Sequence, residues 1–178
     1  MFKHLKHIAC FPKIGPDMYL THWLLFFKPL RILFQKRRMG KNIGKNSELR
    51  PYCILDGYNN IIIGRDVIIP EGVRLVTDAS DPNAKIIIED GVLFAPNVSV
   101  YCTTHTFDNP DKYIKSQPLK NKTTIIKIGS WIGVNSVIMP GVTIGRNCVI
   151  GANSLVNSDI PDFTIAVGSP ARVIKEIN

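Results

Sequence analysis

The sequence predicts an all-β solenoid. Three observations carry that expectation: a six-residue recurrence of β-branched aliphatics, small residues at a fixed offset, and glycine or asparagine for the turns. Starting at Ile126 and stepping by six gives Ile132, Ile138, Ile144, Ile150 and Val156. Four places after each member stand Ser130, Ser136, Val142, Cys148, Ser154 and Ile160, nearly all small. Glycine follows directly in Ile132-Gly133, Ile144-Gly145 and Ile150-Gly151. This period fits neither a helix of about 3.6 residues per turn nor hairpins built from strands of about 5–6 residues. It fits a solenoid with three flat faces, each consuming one hexad. The aliphatic residue points into the triangular interior and the small residue sits beside the corner. Glycine or asparagine tolerates the left-handed backbone of the turn.

The same register recurs upstream. Ile43, Leu49 and Leu55 are spaced by six, with Ser47 and Cys53 at the small position. Ile63, Ile69 and Leu75 follow, with Val67, Val73 and Ala79, and then Ile88, Phe94 and Val100, with Val92 and Val98. Three hexads make a coil of 18 residues, so five coils are expected, at 43–60, 63–80, 88–105, 126–143 and 144–161. A polar loop at 106–125 is inserted after the third coil, and 162–178 is expected to pack back on the solenoid as a tail.

The remaining residues, 1–42, have a different character. The chain has 178 residues, enough for one domain plus a short appendage. Residues 1–50 hold eleven of the 22 Lys and Arg against two acids, Asp17 and Glu48, so this part carries +9 while 51–178 carries −1. Trp23-Leu24-Leu25-Phe26-Phe27 and Leu30, Ile32, Leu33 and Phe34 precede Lys36-Arg37-Arg38. Pro29 lacks a backbone N–H and divides the segment into two short helices. Apolar bulk beside clustered bases suits peripheral contact with an anionic membrane surface, while the simpler use is packing on the body or on a neighbouring subunit. The bases are not interleaved with a nucleic-acid-binding motif, so no nucleic-acid partner is expected.

Other classes are set aside quickly. No run of about 18 uncharged apolar residues exists to span a bilayer, and no convincing signal peptide opens the chain. Cys10, Cys53, Cys102 and Cys148 stand far apart without a CxxC pair, against a zinc site or a disulfide framework. A cytoplasmic setting is expected, with a peripheral place at the inner membrane face if the basic segment meets lipid.

Residues 43–175 resemble the hexapeptide-repeat acyltransferases, and most closely their maltose, galactoside and polysaccharide O-acetyltransferase branch. The stretch from Ile132 to Gly145 and the ending from Ile160 to Lys175 carry the resemblance. It implies a left-handed parallel β-helix, a homotrimer, and acetyl-coenzyme A as co-substrate for acetylation of a sugar or glycan hydroxyl. An N-acyltransferase of an amino sugar, a serine acetyltransferase and a non-catalytic binding solenoid are the alternatives. A serine acetyltransferase would bring a large helical N-terminal domain, which is not expected here. The carbonic anhydrases that share the solenoid need three metal-binding histidines, whereas only His105 falls within the repeats, so no metal is expected.

One imidazole does suffice for acyl transfer from a thioester to an alcohol, because it can take the hydroxyl proton as attack begins. His105, in Tyr101-Cys102-Thr103-Thr104-His105, matches the family's general base. The resemblance assigns the carbonyl-binding backbone amide to Val134, where close relatives have serine, so a hydroxyl contact is lost. It places Trp131 by the acceptor and donor pocket. Ala152 falls on the pantetheine arm of coenzyme A, and Asn157 and Ser158 replace a Thr-Lys pair at the nucleotide end. Arg172 and Lys175 supply cations for phosphate. Asp78 or Asp81 answers loosely to an acceptor-binding acid, since a carboxylate can receive two sugar hydroxyls.

Overall fold

The computed structural model describes residues 42–50 and 52–177. The two helices and the lipid contact expected of the N-terminal segment lie outside these residues, which belong to a compact unit spanning Lys41–Asn178. Among them the architecture is a left-handed parallel β-helix of five coils. The first coil supplies β1 (Glu48–Leu49) and β2 (Ile54–Asp56). The second supplies β3 (Ile61–Ile63), β4 (Ile68–Ile69) and β5 (Arg74–Val76), and the third β6 (Ile86–Ile88), β7 (Leu93–Phe94) and β8 (Ser99–Tyr101). The chain then leaves the solenoid as β9 (Thr103–His105) and β10 (Leu119–Asn121). It returns as β11 (Thr124–Ile126), β12 (Trp131–Ile132) and β13 (Val137–Ile138), then β14 (Thr143–Ile144), β15 (Val149–Ile150) and β16 (Leu155–Val156). Last come β17 (Thr164–Gly168) and β18 (Ala171–Glu176).

Three sheets form the faces, in the orders β14-β11-β6-β3, β1-β4-β7-β12-β15-β17-β18 and β16-β13-β8-β5-β2. All pairings within them are parallel except β17 with β18. The register stacks like residues. Ile88 pairs with Ile126 and Ile126 with Ile144 on one face, and Phe94 with Ile132 and Ile132 with Ile150 on the next. These side chains are almost wholly buried and form the core. Burying each stabilises the fold by about 1.5–3 kcal/mol relative to leaving it exposed.

The corners explain the other two sequence signals. The residue three places after the inward aliphatic takes left-handed backbone, as in Gly129 (φ 73°), Asn135 (φ 58°), Gly141 (φ 84°) and Asn147 (φ 48°). Asparagine visits this region at low cost, which is why it alternates there with glycine. The glycines directly after the aliphatic do a different job. A Cβ on Gly133 would lie 2.6 Å from the backbone N of Ala152, and one on Gly145 2.5 Å from that of Asp162. The small position is polar for a reason. Ser130 Oγ donates to the Gly145 carbonyl (2.7 Å) and accepts from the Cys148 N–H (3.0 Å), so one hydroxyl joins successive coils.

Two stretches depart from the period. Ala79, expected at the small position beside a corner, is exposed because the chain leaves the solenoid after β5, and Ala84 is buried as it returns. The second departure begins before residue 106: β9 and β10 pair antiparallel as a ribbon, so His105 stands on that ribbon and not on the third coil.

Candidate functional site

The ribbon presents His105. Its register sets Thr103 opposite Asn121, Thr104 opposite Lys120 and His105 opposite Leu119. Because side chains alternate along a strand, Thr103, His105, Leu119 and Asn121 share one face. His105 is exposed. At the ribbon's base the Lys122 N–H donates to the Cys102 carbonyl (2.8 Å). Beyond His105 the connection is organised by Gln117. Its Nε2 donates to the carbonyls of Asn109 (3.0 Å) and Lys112 (3.2 Å), and its Oε1 accepts from the Asn109 N–H (3.1 Å). Phe107 and Tyr113 are displayed to solvent on this connection.

Below the ribbon lies a polar cluster. Asn121 Nδ2 donates to Asp78 Oδ2 and to Asp81 Oδ2, each at 3.0 Å. Asp78 Oδ1 accepts from the Ser80 hydroxyl (2.6 Å) and N–H (2.9 Å), and Asp81 Oδ1 from the Asn83 N–H (2.9 Å). Ser80 first, and then Asn121, hold the Asp78 carboxyl below its usual range. Asn60, itself buried, donates to the main-chain carbonyls of Asp78 (2.8 Å) and Asp81 (2.9 Å). Cys102 is buried beside this cluster, and burial pushes its thiol up, which suits a core group and not a nucleophile.

Of the residues assigned to the donor, Trp131, Arg172 and Lys175 lie on the seven-stranded sheet and Ala152 on the corner that follows it, whereas Asn157 and Ser158 follow β16 of another face. Strand register runs Leu93, Trp131, Val149, Ile165 and Lys175 in one outward row along the solenoid axis. Trp131 is about half exposed, and Lys175 ends the row. Arg172 lies opposite Val167 on β18, with Nη1 donating to the Ala171 carbonyl (2.8 Å). Val134 and Ala152 are exposed at successive levels of one corner, where the Val134 carbonyl accepts from the Asn153 N–H (2.9 Å). Asn157 and Ser158 are exposed just after β16, on the next corner.

The fold therefore brings Asp78 and Asp81 together through Asn121, stacks Val134 with Ala152, and aligns Trp131 with Lys175. Among the described residues no hydrogen bond or strand pairing joins His105 to Trp131, Val134 or Ala152. Nor do they contain a group of three or more His, Cys, Asp or Glu suited to a metal. Sequence reasoning missed Asn60, Gln117 and Asn121. Each lies off the hexad register, and the one available signal was an amide side chain flanking an interruption of the repeat.

Comparison with known proteins gives a consistent picture. The family model "Bacterial transferase hexapeptide (six repeats)" matches residues 123–158. The chain is similar to the galactoside O-acetyltransferase of Escherichia coli K12, with 37% identity over 142 residues, covering 80% of this chain and 66% of that protein. It thus spans about two thirds of the length of such curated relatives. A galactoside acetyltransferase structure in complex with coenzyme A superposes with a TM-score of 0.76 and 32% identity, over 99% of this chain and 80% of that one. A maltose O-acetyltransferase structure from Clostridium difficile 630 gives 0.75 and 31%, over 99% and 86%.

Proposed function

The chain belongs to the hexapeptide-repeat acyltransferase family, and from that premise we propose that it moves an acetyl group from acetyl-coenzyme A to a sugar hydroxyl. The observation that carries this reading is His105, held in water on a ribbon beside two carboxylates while the periodic core packs without it. The neutral imidazole takes the proton of the acceptor hydroxyl as its oxygen attacks the thioester carbon. The carbonyl oxygen gains charge, and the Val134 N–H is the donor assigned to it. Collapse forms the ester and expels the coenzyme A thiolate, which takes the proton back from the imidazolium. The alcohol's hydrogen therefore ends on the thiol, and no oxidant or metal enters the balance.

The row from Trp131 to Lys175 supports donor binding. It offers apolar surface along the axis and then a cation, with Arg172 nearby, for an extended thiol arm ending in phosphates. Ala152, Asn157 and Ser158 sit at exposed corners of the same end of the solenoid. Asp78 and Asp81 each keep lone pairs for an acceptor hydroxyl beyond those used by Ser80, Asn83 and Asn121.

The placement of the parts supports a homotrimer. The ribbon of His105 follows β8 on one face, and Trp131 points out from another, so a neighbouring copy completes each site in a cyclic assembly. The basic segment 1–42 favours an acceptor at a membrane surface, a polysaccharide or lipid-linked glycan, over a free sugar.

The test is turnover of His105→Ala with acetyl-coenzyme A and a panel of galactosides and glycan fragments, followed by free thiol. A loss of about 100-fold or more is expected, with coenzyme A affinity unchanged. Loss of donor binding in a folded protein would overturn the assignment. A sedimentation mass of a single chain would overturn the trimer.

A further inference from the structure

We propose that Asn121 is a positioning residue, whose amide holds the His105 ribbon against Asp78 and Asp81 and so fixes where the imidazole stands. This rests on the reading of His105 as the base. Asn121 and His105 lie two residues apart across the ribbon and on the same face, since Asn121 is opposite Thr103 and His105 opposite Leu119. Both hydrogen bonds from Asn121 Nδ2 reach 40 residues or more back in sequence, to the two acids of the loop after β5. That loop is itself held by Asn60 through two carbonyls. A continuous path of hydrogen bonds thus runs from the buried Asn60, through the loop and its carboxylates, to Asn121 and the strand beside His105.

Its chemistry fixes the orientation. An amide placed between two carboxylates must turn its NH2 toward them, because its oxygen would be repelled. Asn121 Oδ1 is then left buried without a partner, as is Thr103 Oγ1 directly across the ribbon. A buried polar atom without a partner destabilises the fold. The cluster therefore stands at some cost to stability where the candidate base is mounted, while each buried coil serine, Ser47, Ser130, Ser136 and Ser154, has at least one hydrogen-bond partner.

A purely structural bond and a positioning bond predict different kinetics. The experiment compares full-length wild type, Asn121→Asp, Asn121→Ser, His105→Ala and His105→Ala/Asn121→Asp. Asn121→Asp keeps the shape, removes both donated hydrogens and adds a third carboxylate. Asn121→Ser keeps one donor and covers the case in which the aspartate variant fails to fold. A fall in kcat of about 10- to 100-fold is expected for Asn121→Asp, and a smaller fall for Asn121→Ser. Coenzyme A affinity stays unchanged, and the ring resonances of His105 shift. In the His105→Ala background the second substitution adds no further loss, because Asn121 acts through the imidazole. Unchanged kcat in both Asn121 variants, or a fully additive loss in the double variant, overturns the inference and leaves the base assignment standing. Retained activity in His105→Ala overturns the base assignment itself.

Discussion

The fourth and fifth coils and the ribbon of residues 103–121 are cut from the same chain and held by opposite means. In the coils, Ile126, Ile132, Ile138, Ile144, Ile150 and Val156 stack in an interior closed to water, and Ser130 and Ser136 stitch successive turns. The ribbon contributes little to that core. Phe107, Tyr113, Ile114 and Leu119 are exposed on it, and it is held by amide side chains, Gln117 within it and Asn121 at its base. The coils are therefore a rigid mount, and the ribbon a part whose sequence can change without loss of the fold.

The comparison breaks if core and ribbon respond alike, and the largest expected effect lies in the core. Ile138→Ala removes a fully buried side chain stacked between Val100 and Val156. It is expected to cost about 2–5 kcal/mol in denaturant unfolding. Gly145→Ala comes next, because its new Cβ meets the backbone N of Asp162. Overpacking of this kind costs about 1–3 kcal/mol, and the coil can yield only by opening its spacing to the next turn. Ser130→Ala leaves the Gly145 carbonyl and the Cys148 N–H without their shared partner and is expected to cost about 1–3 kcal/mol.

Gln117→Ala is the matching change in the ribbon. The groups it serves lie on an exposed connection where water can replace it, so unfolding should change by less than about 1 kcal/mol. The acceptor KM should instead rise several-fold, because the connection flanks His105. Equal destabilisation by Gln117→Ala and Ile138→Ala would erase the distinction between mount and mounted part.

What could be read from the sequence divides along the same line. The hexad register exposes the inward residues, because a solenoid buries the same position of every hexad and so writes its core into the sequence as a period. The first five strands of the seven-stranded sheet, with Leu93, Trp131 and Val149 in one row, follow from that register directly. By contrast, β17 and β18, which bring Ile165 and Lys175, lie in a stretch expected only as a tail. His105 was legible as a residue type at an interruption of the repeat, but its place on an antiparallel ribbon was not. Nothing periodic marks Thr103-Thr104-His105 as pairing with Leu119-Lys120-Asn121 across a loop. Asn60, Asn121 and Gln117 were illegible for a related reason. Each acts through long-range or loop-specific hydrogen bonds, and an isolated asparagine or glutamine in a sequence carries no trace of its partner. Ala79 fits the hexad count and yet is exposed, because a register cannot report where the chain steps out of it.

The smallest expected effect sharpens the comparison at the last corner of the solenoid. Asp162 accepts from the Arg146 N–H (2.9 Å) and from Arg146 Nε (2.9 Å), with Lys127 Nζ at 3.7 Å. The Arg146 backbone N–H chiefly holds its carboxyl below the usual range; burial opposes it, and the Arg146 side chain and Lys127 add to the lowering. A carboxyl depressed in the folded state stabilises the fold at pH above its unfolded value, about 3.9, and that contribution is lost as pH falls through the folded value. Asp162→Asn should therefore lower the melting temperature at neutral pH by less than Ser130→Ala does, since the carboxylate is at the surface and water screens it. The gap between variant and wild type should close as pH drops below about 4, where wild type loses the same charge. Salt should narrow the gap at neutral pH by weakening the two cation contacts, while the bond from the Arg146 N–H persists. A gap that stays constant down to pH 2 would show that shape and packing at this corner, and not its charge, joins the last turn to the coil beneath it.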